Sequence, residues 1–301
     1  MVIIRYKDIV PVRWLCSWTG QAVSSWYYSS SDGRRGRAPS THTYMQSGWR
    51  VSNHQVVDRI RCLLRQEFVC YGYEKTTSEL KDEGYVINAK KVYRLMGEAH
   101  LLNMHRRIKT NGRRTFVKMR KIKAEHPMEH LSMDIKYVYI HGERRNVYLL
   151  TVMDIFTRRV LGHLLKASIR QHDVVLLMDG ILKACPVKNV TIRNDNGSQF
   201  IANSVRKYLF EQGINQEFTH IATPEENAYI EALHSTLERE VIRRYWFDSF
   251  YYAKWKIGEY YKFYNRKRKH RSLGMKSPEQ FLDIFENLNL KQKIIRQPLL
   301  N

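Results

Sequence analysis

Residues 131–166, LSMDIKYVYIHGERRNVYLLTVMDIFTRRVLGHLLK, decide the fold. Three short β-rich runs stand here in succession: MDIKYVYI, NVYLLTVMD and RRVLGHLLK. The polar turn HGERRN separates the first two. Apolar residues at a period of two, with short turns between runs, predict an antiparallel three-strand meander. The pattern then changes. QHDVVLLMDGILKAC (171–185) has helical spacing, and NVTIRND (189–195) is a short buried strand. SVRKYLFEQG (204–213) is a helix stopped by Gly213, and NQEFTH (215–220) is a last strand. A further helix begins near Thr223, where Thr223-Pro224-Glu225-Glu226 supplies a cap, a proline at the first helical position and an acid at the third.

The resulting order, β-β-β-α-β-α-β-α, predicts an α/β core of the ribonuclease H-like kind, a mixed five-stranded sheet flanked by helices. Pro127 marks its start, and it should run over 127–247. Upstream, VSNHQVVDRIRCLLRQEF (51–68) places Val56, Ile60, Leu63 and Leu64 on one helix face. YGYEKTTSELKDEGYVINAKKVYRLM (71–96) gives two more helices broken at Glu83-Gly84-Tyr85, with Asn88 as the cap of the second. Residues 51–105 thus fit a helix-turn-helix-like DNA-binding domain. Lys90, Lys91 and Arg94 sit on the expected exposed positions of its last helix. Residues 1–50 read as an N-terminal helical and basic arm. Within it SSSDGRRGRAPS (29–40) is a linker by composition, with Arg34, Arg35 and Arg37 available to phosphate.

Lys and Arg outnumber Asp and Glu by 51 to 29, a net charge of +22 over 301 residues, which predicts a polyanionic partner. The excess is clustered. HRRIKTNGRRTFVKMRKIK (105–123) holds nine Lys and Arg residues, Arg113 and Arg114 among them, and no acid. It falls in the basic linker expected at 106–126, a tether along DNA phosphates. The C-terminal extension, 248–301, is aromatic and basic. Most of its aromatics fit the packed face of a helix. The run Arg266-Lys267-Arg268-Lys269-His270-Arg271 instead points to a phosphate-binding segment. The four cysteines form no CxxC pair and no zinc spacing, as expected of thiols in a reducing cytosol. No apolar stretch approaches membrane-spanning length and the N-terminus lacks a signal-peptide core. These features predict a cytoplasmic protein.

Against this basic background three carboxylates stand out: Asp134, Asp195 and Glu231. Alternation places Asp134 in mid-strand on the face shared with Ser132 and Lys136, opposite Met133 and Ile135. Asp195 ends a strand and enters the turn NGSQ, where Gly197 permits close backbone approach. Glu231 lies beside the apolar stripe Ile230, Leu233, Leu237 and Val241, and the cap accounts for Glu225 and Glu226. Taken singly, each has a bland alternative: a strand-edge acid, a turn former, a solvated helix residue. Asp154 and Asp179 are rivals, the first resembling a turn cap and the second lying in mid-helix.

The residues now quoted resemble the second-frame catalytic protein of insertion-sequence transposases of the IS-three family, relatives of retroviral integrases. The likeness runs over roughly 50–285. It takes in the helices of 71–96, the strands MDIKYVYI and VMDIFTRRVLG, the turn NDNGSQF (194–200), the helix TPEENAYIEALHSTLERE (223–240) and YNRKRKHRSLGMKSPEQF (264–281). Thirty-five residues separate Asp195 from Glu231. The resemblance implies that Asp134, Asp195 and Glu231 are catalytic and hold two Mg²⁺ ions, or Mn²⁺. One ion would activate water for cleavage and the other would stabilise the leaving oxygen. It implies a DNA transposase that cuts element ends and joins the 3′-OH to target DNA. Asn196, Gln199, Arg239, Arg266, Arg268 and Arg271 would contact DNA.

The implied partners are terminal inverted repeats, target DNA, a second copy of the chain in at least a dimer, and a first-frame transposase protein. Two departures matter. Where the family commonly has Lys or Arg seven residues after the catalytic Glu, this chain has Glu238, with Arg239 next and His234 nearby. The leucine-zipper heptads of a first-frame domain are not seen, so the chain is expected to be the catalytic half. Two other readings fit the same sequence. One is a ribonuclease H-like nuclease without strand transfer. The other is a catalytically weakened DNA-binding element protein built on residues 50–105.

Overall fold

The structure, a computed structural model, describes residues 2–28, 39–103, 122–186, 189–220 and 227–296, without the side chains of 289–296. Arg34, Arg35, Arg37, Arg113, Arg114 and the Thr223–Glu226 cap lie outside the described residues. The chain divides into two units, Met1–Thr41 and His42–Asn301.

In the first unit α1 (Val2–Tyr6), α2 (Val12–Thr19) and α3 (Val23–Trp26) pack a small core of Ile3, Leu15 and Cys16. Gly20, at φ 70°, closes α2 by returning its N–H to the carbonyls of Cys16 and Ser17.

The second unit opens with strands that the sequence reading does not contain. β1 (His42–Met45) and β2 (Arg50–Ser52) form an antiparallel hairpin, and β3 (Tyr85–Val86) pairs with the other edge of β1. A division at residue 50 therefore falls within β2, and the expected helical arm stops short of this hairpin. Ser52 ends β2 and caps α4 (Asn53–Arg65) in a reciprocal box with Gln55. α5 (Tyr73–Asp82) and α6 (Ala89–Glu98) follow, turned by Gly84 at φ 91° and restarted by the Asn88 side chain, which accepts from the Lys91 N–H at 2.8 Å. Val56, Ile60 and Leu63 of α4 bury against Leu80, Val92, Leu95 and Met96. Each such side chain contributes about 1.5–3 kcal/mol on burial.

The catalytic-type core has the expected order. β4 (His130–Ile140), β5 (Arg145–Asp154) and β6 (Val160–Lys166) make the meander. α7 (Gln171–Ala184) crosses over to β7 (Thr191–Asn194), then α8 (Ser198–Ile201) and α9 (Asn203–Glu211) lead to β8 (Asn215–Phe218). The sheet order is β6-β5-β4-β7-β8, with β7 parallel to both β4 and β8. It is a mixed five-stranded sheet flanked by helices. Alternation along the strands supplies two cores. Leu131, Met133, Leu150, Val152 and Ile192 face α7 and α9. Val138, Ile140, Val147 and Leu149 face α10 (Ala228–Leu237) and α11 (Phe250–Arg266). α11 buries Ile257, Tyr260, Tyr261 and Tyr264, so these aromatics are core. A 3₁₀ turn (Arg271–Leu273) and α12 (Pro278–Arg296) complete the chain. No helix among the described residues is long and apolar enough to cross a membrane.

Candidate active site

β4 and β7 are the central parallel pair, in the register Ser132↔Arg193. Two residues further on, that register brings Asp134 beside Asp195, at the carboxyl end of β7 where the chain leaves the sheet. The turn after Asp195 is tightly tied. Its Oδ1 accepts the Gly197 N–H at 3.0 Å, Asn196 Nδ2 donates to the Thr219 carbonyl at 3.0 Å, and Gln216 Nε2 donates to Asn194 Oδ1 at 3.0 Å. A Cβ on Gly197 would stand 2.3 Å from Gln199 Nε2 and 3.0 Å from Asp195 Oδ1, so any side chain here would displace the end of Gln199 and crowd the Asp195 carboxylate. The two carboxylates feel each other. Loss of hydration pushes the Asp195 carboxyl above its ordinary range, the Gly197 N–H pulls it back, and the charge of Asp134 pushes it up again.

α10 lies over this face of β4. Ser132 Oγ donates to Asn227 Oδ1 at 2.5 Å, His234 Nδ1 is 3.3 Å from Asp134 Oδ2, and Lys136 Nζ is 3.0 Å from Glu238 Oε2. The sequence reading of this strand therefore holds: Ser132, Asp134 and Lys136 share the face that meets the helix. Positions 227, 231, 234 and 238 recur at three- and four-residue intervals, which is a single helix face. Glu231 belongs to that stripe, one turn before His234, and is exposed. Among the described residues no three His, Cys, Asp or Glu side chains stand close enough to hold a metal ion. The fold pairs Asp134 with Asp195 and leaves Glu231 on the neighbouring helix.

Glu238 is not a stray fourth acid. Burial opposes its charge, but Lys136 and then Arg243, whose Nε is 3.1 Å away, hold its carboxyl below the usual range. The rivals also resolve. Asp154 is 1% exposed and accepts from the N–H groups of Met128, Phe156 and Thr157, which makes it a turn former. Asp179 pairs with Lys183 on the surface of α7.

Several expected DNA contacts are spent inside the protein. Arg268 is 5% exposed, and both its Nε and Nη2 donate to Glu240, at 2.7 and 2.8 Å. The charge run of 266–271 is thus partly an internal clamp, since Lys269 is also buried and holds Ser78 and Asp82 of α5. Arg266 lies 3.6 Å from Glu279 and Arg271 3.5 Å from Glu74, with both side chains largely exposed. On α6, Lys90 is exposed as expected. Lys91 and Arg94 are only half-exposed: Lys91 Nζ donates to the His42 carbonyl at 2.5 Å, and Arg94 pairs with Glu98 at 3.0 Å. Arg239 is exposed, 3.2 Å from Glu240. Sequence reasoning passed over Asn227, which the helical interval from Glu231 would have found. Alternation already places Lys136 on the face of Asp134, and what it does not give is the pairing with Glu238.

Comparison with known proteins agrees with this architecture. Residues 124–224 and 212–278 match the integrase core domain, and residues 52–109 match an HTH-like domain. The 39.2 kDa protein of insertion element IS476 from Xanthomonas euvesicatoria is 30% identical over 214 residues, which cover 70% of this chain and 60% of that one. The transposase for insertion sequence element IS904 from Lactococcus lactis is 27% identical over 244 residues, 77% of this chain and 94% of its own length. Transposase InsD for insertion element IS2D of Escherichia coli is 26% identical over 230 residues, 72% and 74% of the two chains. With an HTH-like domain followed by an integrase core domain, the chain is similar to these insertion-sequence transposases, consistent with the IS-three family.

Proposed function

We propose that the protein cuts DNA at the ends of its element and joins the freed 3′-OH to target DNA, with Asp134, Asp195 and Glu231 as the catalytic carboxylates. The observation that carries this reading is the pairing of Asp134 with Asp195 beneath the α10 stripe that holds Glu231. Two adjoining carboxylates that repel each other, in a protein of net charge +22, suit a hard divalent cation. Asp134 and Asp195 would hold Mg²⁺, or Mn²⁺, and Glu231, which stands apart from them on α10, would join them when the ion binds. The ion would supply charge stabilisation at the scissile phosphate.

The chain's own residues do the rest. The turn from Asp195 to Gln199 fixes the second carboxylate, and Asn196 and Gln199 border the path of the DNA. His234 holds Asp134 from the helix side, and Lys136 keeps Glu238 neutralised two residues along the same strand face. In cleavage, water adds to the phosphorus and the 3′ oxygen leaves with a proton. In joining, that 3′ oxygen attacks a target phosphodiester and displaces its 3′ oxygen. Lys90, Arg113, Arg114, Arg239, Arg266 and Arg271 would track the DNA backbone. Bringing two ends together requires at least two copies of the chain, and a first-frame protein would assist. The reaction belongs to the bacterial cytoplasm, where the DNA is.

The test uses a labelled duplex bearing the element end, a target plasmid and Mg²⁺. Wild-type protein should nick the duplex and join the label to the plasmid. Asp195→Asn should bind the duplex with wild-type affinity and do neither. Joining by that variant would sink the site assignment, and nicking without joining by wild-type protein would leave a nuclease.

A further inference from the structure

Where α5 begins, a cavity of about 660 Å³ opens between the HTH-like helices and the segment that follows α10. Cys70, Gly72, Lys75, Arg239, Glu240 and Arg244 line it. Its charges do not balance. Among the described residues Glu240 is the only acid in its depth, and both its oxygens are committed. Oε2 accepts from Arg268 and from Tyr260 OH at 2.9 Å, while Oε1 accepts from Arg268 and Arg239. Glu74, at the rim, faces Arg271. Lys75 and Arg244 have no carboxylate within ion-pair distance among the described residues. Lys75 Nζ lies 5.2 Å from the Tyr71 ring centre, and Arg244 Nη1 meets the Cys70 sulfur.

The start of α5 adds positive potential. The cap residue of α5 is Gly72, which has no side chain to satisfy the first N–H groups of the helix. Cys70 does not supply the missing negative charge. Burial pushes its thiol up, against the pull of Arg244, so it stays protonated. Lys75 registers the imbalance: burial, then the charge of Arg268, brings its amine down to about 7.

We propose that this pocket seats a backbone phosphate of the DNA, held by Lys75, Arg239, Arg244 and the first N–H groups of α5, where the duplex passes from the HTH-like helices to the catalytic core. A phosphodiester supplies the single negative charge and the several acceptor oxygens that this set of donors requires. The inference rests on the reading that the protein acts on DNA.

Cys70 provides the probe. The full-length protein is alkylated with iodoacetamide alone, with duplex DNA bearing the element end, or with millimolar inorganic phosphate, and Cys70 is followed by peptide mass with Cys185 as reference. DNA should slow the alkylation of Cys70 several-fold and leave Cys185 unchanged. Inorganic phosphate, sharing the chemistry, should slow it less. In parallel, Lys75→Gln and Arg244→Gln should each weaken duplex binding roughly tenfold near physiological salt and lower the slope of log affinity against log salt by about one. Arg244→Lys should recover most of the loss, which separates charge from folding. Unchanged Cys70 reactivity with DNA, with wild-type affinity and slope in both Gln variants, would overturn the proposal. So would protection by phosphate alone, which would mark a small-anion pocket. Failure of strand transfer in wild-type protein, with Cys70 still shielded by DNA, would count against the catalytic reading and leave this site standing.

Discussion

Lys136 Nζ stands 3.0 Å from Glu238 Oε2, joining the strand that carries Asp134 to the helix that carries Glu231. The family resemblance leads to the expectation of a base at position 238. Here the acid is matched by a base on the strand, so the local charge is balanced from the other side. The pair is half-buried and worth about 0–1 kcal/mol on its own. Reversing one member is costlier because it leaves like charges in contact. Lys136→Glu and Glu238→Lys should each lose roughly 1–2 kcal/mol in denaturant titrations, with both long side chains free to swing apart. The double reversal should restore most of that loss, and additive losses would deny the pairing.

Glu240 and Arg268 form the buried counterpart of that surface pair. Removing one partner of such a pair costs about 3–5 kcal/mol because it strands the other charge. Arg268→Ala should therefore lower the thermal midpoint by many degrees and leave little folded protein to assay for DNA binding. Burial works against the Glu240 carboxylate, but Arg268, Lys75 and Tyr260 together hold its folded value below the ordinary one near 4.5. A depressed carboxyl stabilises fully above the unfolded value and loses that contribution as pH falls through the folded value. Stability of the wild-type protein should fall on acidification below about 4.5, and Glu240→Gln should flatten that limb. An unaltered acid limb in the variant would show that other carboxylates control it.

The order of the core was legible because its periodicity changes at each element, from two in the meander to 3.6 in α7 and α9. The hairpin His42–Ser52 was not. Its strands are four and three residues long, shorter than a window in which alternation can be recognised, and β3, which completes the sheet, is two residues long and far along the chain. The pairing of Asp134 and Asp195 could be anticipated from strand alternation and the Gly197 turn. The internal use of Arg268 could not, because a run of six basic residues carries no sign of an acid 28 positions upstream. The same blindness applies to Lys136 and Glu238, whose partnership depends on α10 settling over β4.

Asp154 and Asp134 lie on the same sheet and separate structure from chemistry. Asp154→Ala would strand the N–H donors of Met128 and Thr157, which are buried, and of Phe156, which is partly so, at a cost of about 2 kcal/mol or more. Asp134→Asn removes one of two repelling charges and should leave the thermal midpoint in metal-free buffer unchanged or slightly raised. On the proposed function it should also abolish nicking. A destabilised but active Asp154→Ala beside a stable but inactive Asp134→Asn is the expected pattern. The reverse would transfer the catalytic assignment to Asp154.

His234 is 7% exposed, with Nδ1 3.3 Å from Asp134 Oδ2, and its Nε2 has no hydrogen-bond partner among the described residues. The ring spans the gap between α10 and the first carboxylate, so it holds the Asp134 side chain from the helix side. Groups that orient a metal-binding carboxylate commonly contribute 10–100-fold in metal affinity or activity. On the proposed function, His234→Ala should raise the Mg²⁺ concentration for half-maximal nicking by about tenfold or more, with duplex binding unchanged. His234→Asn keeps a polar atom near the place of Nδ1 and should recover part of the loss. Equal Mg²⁺ requirements in wild type and His234→Ala would show that Asp134 is held by the strand alone.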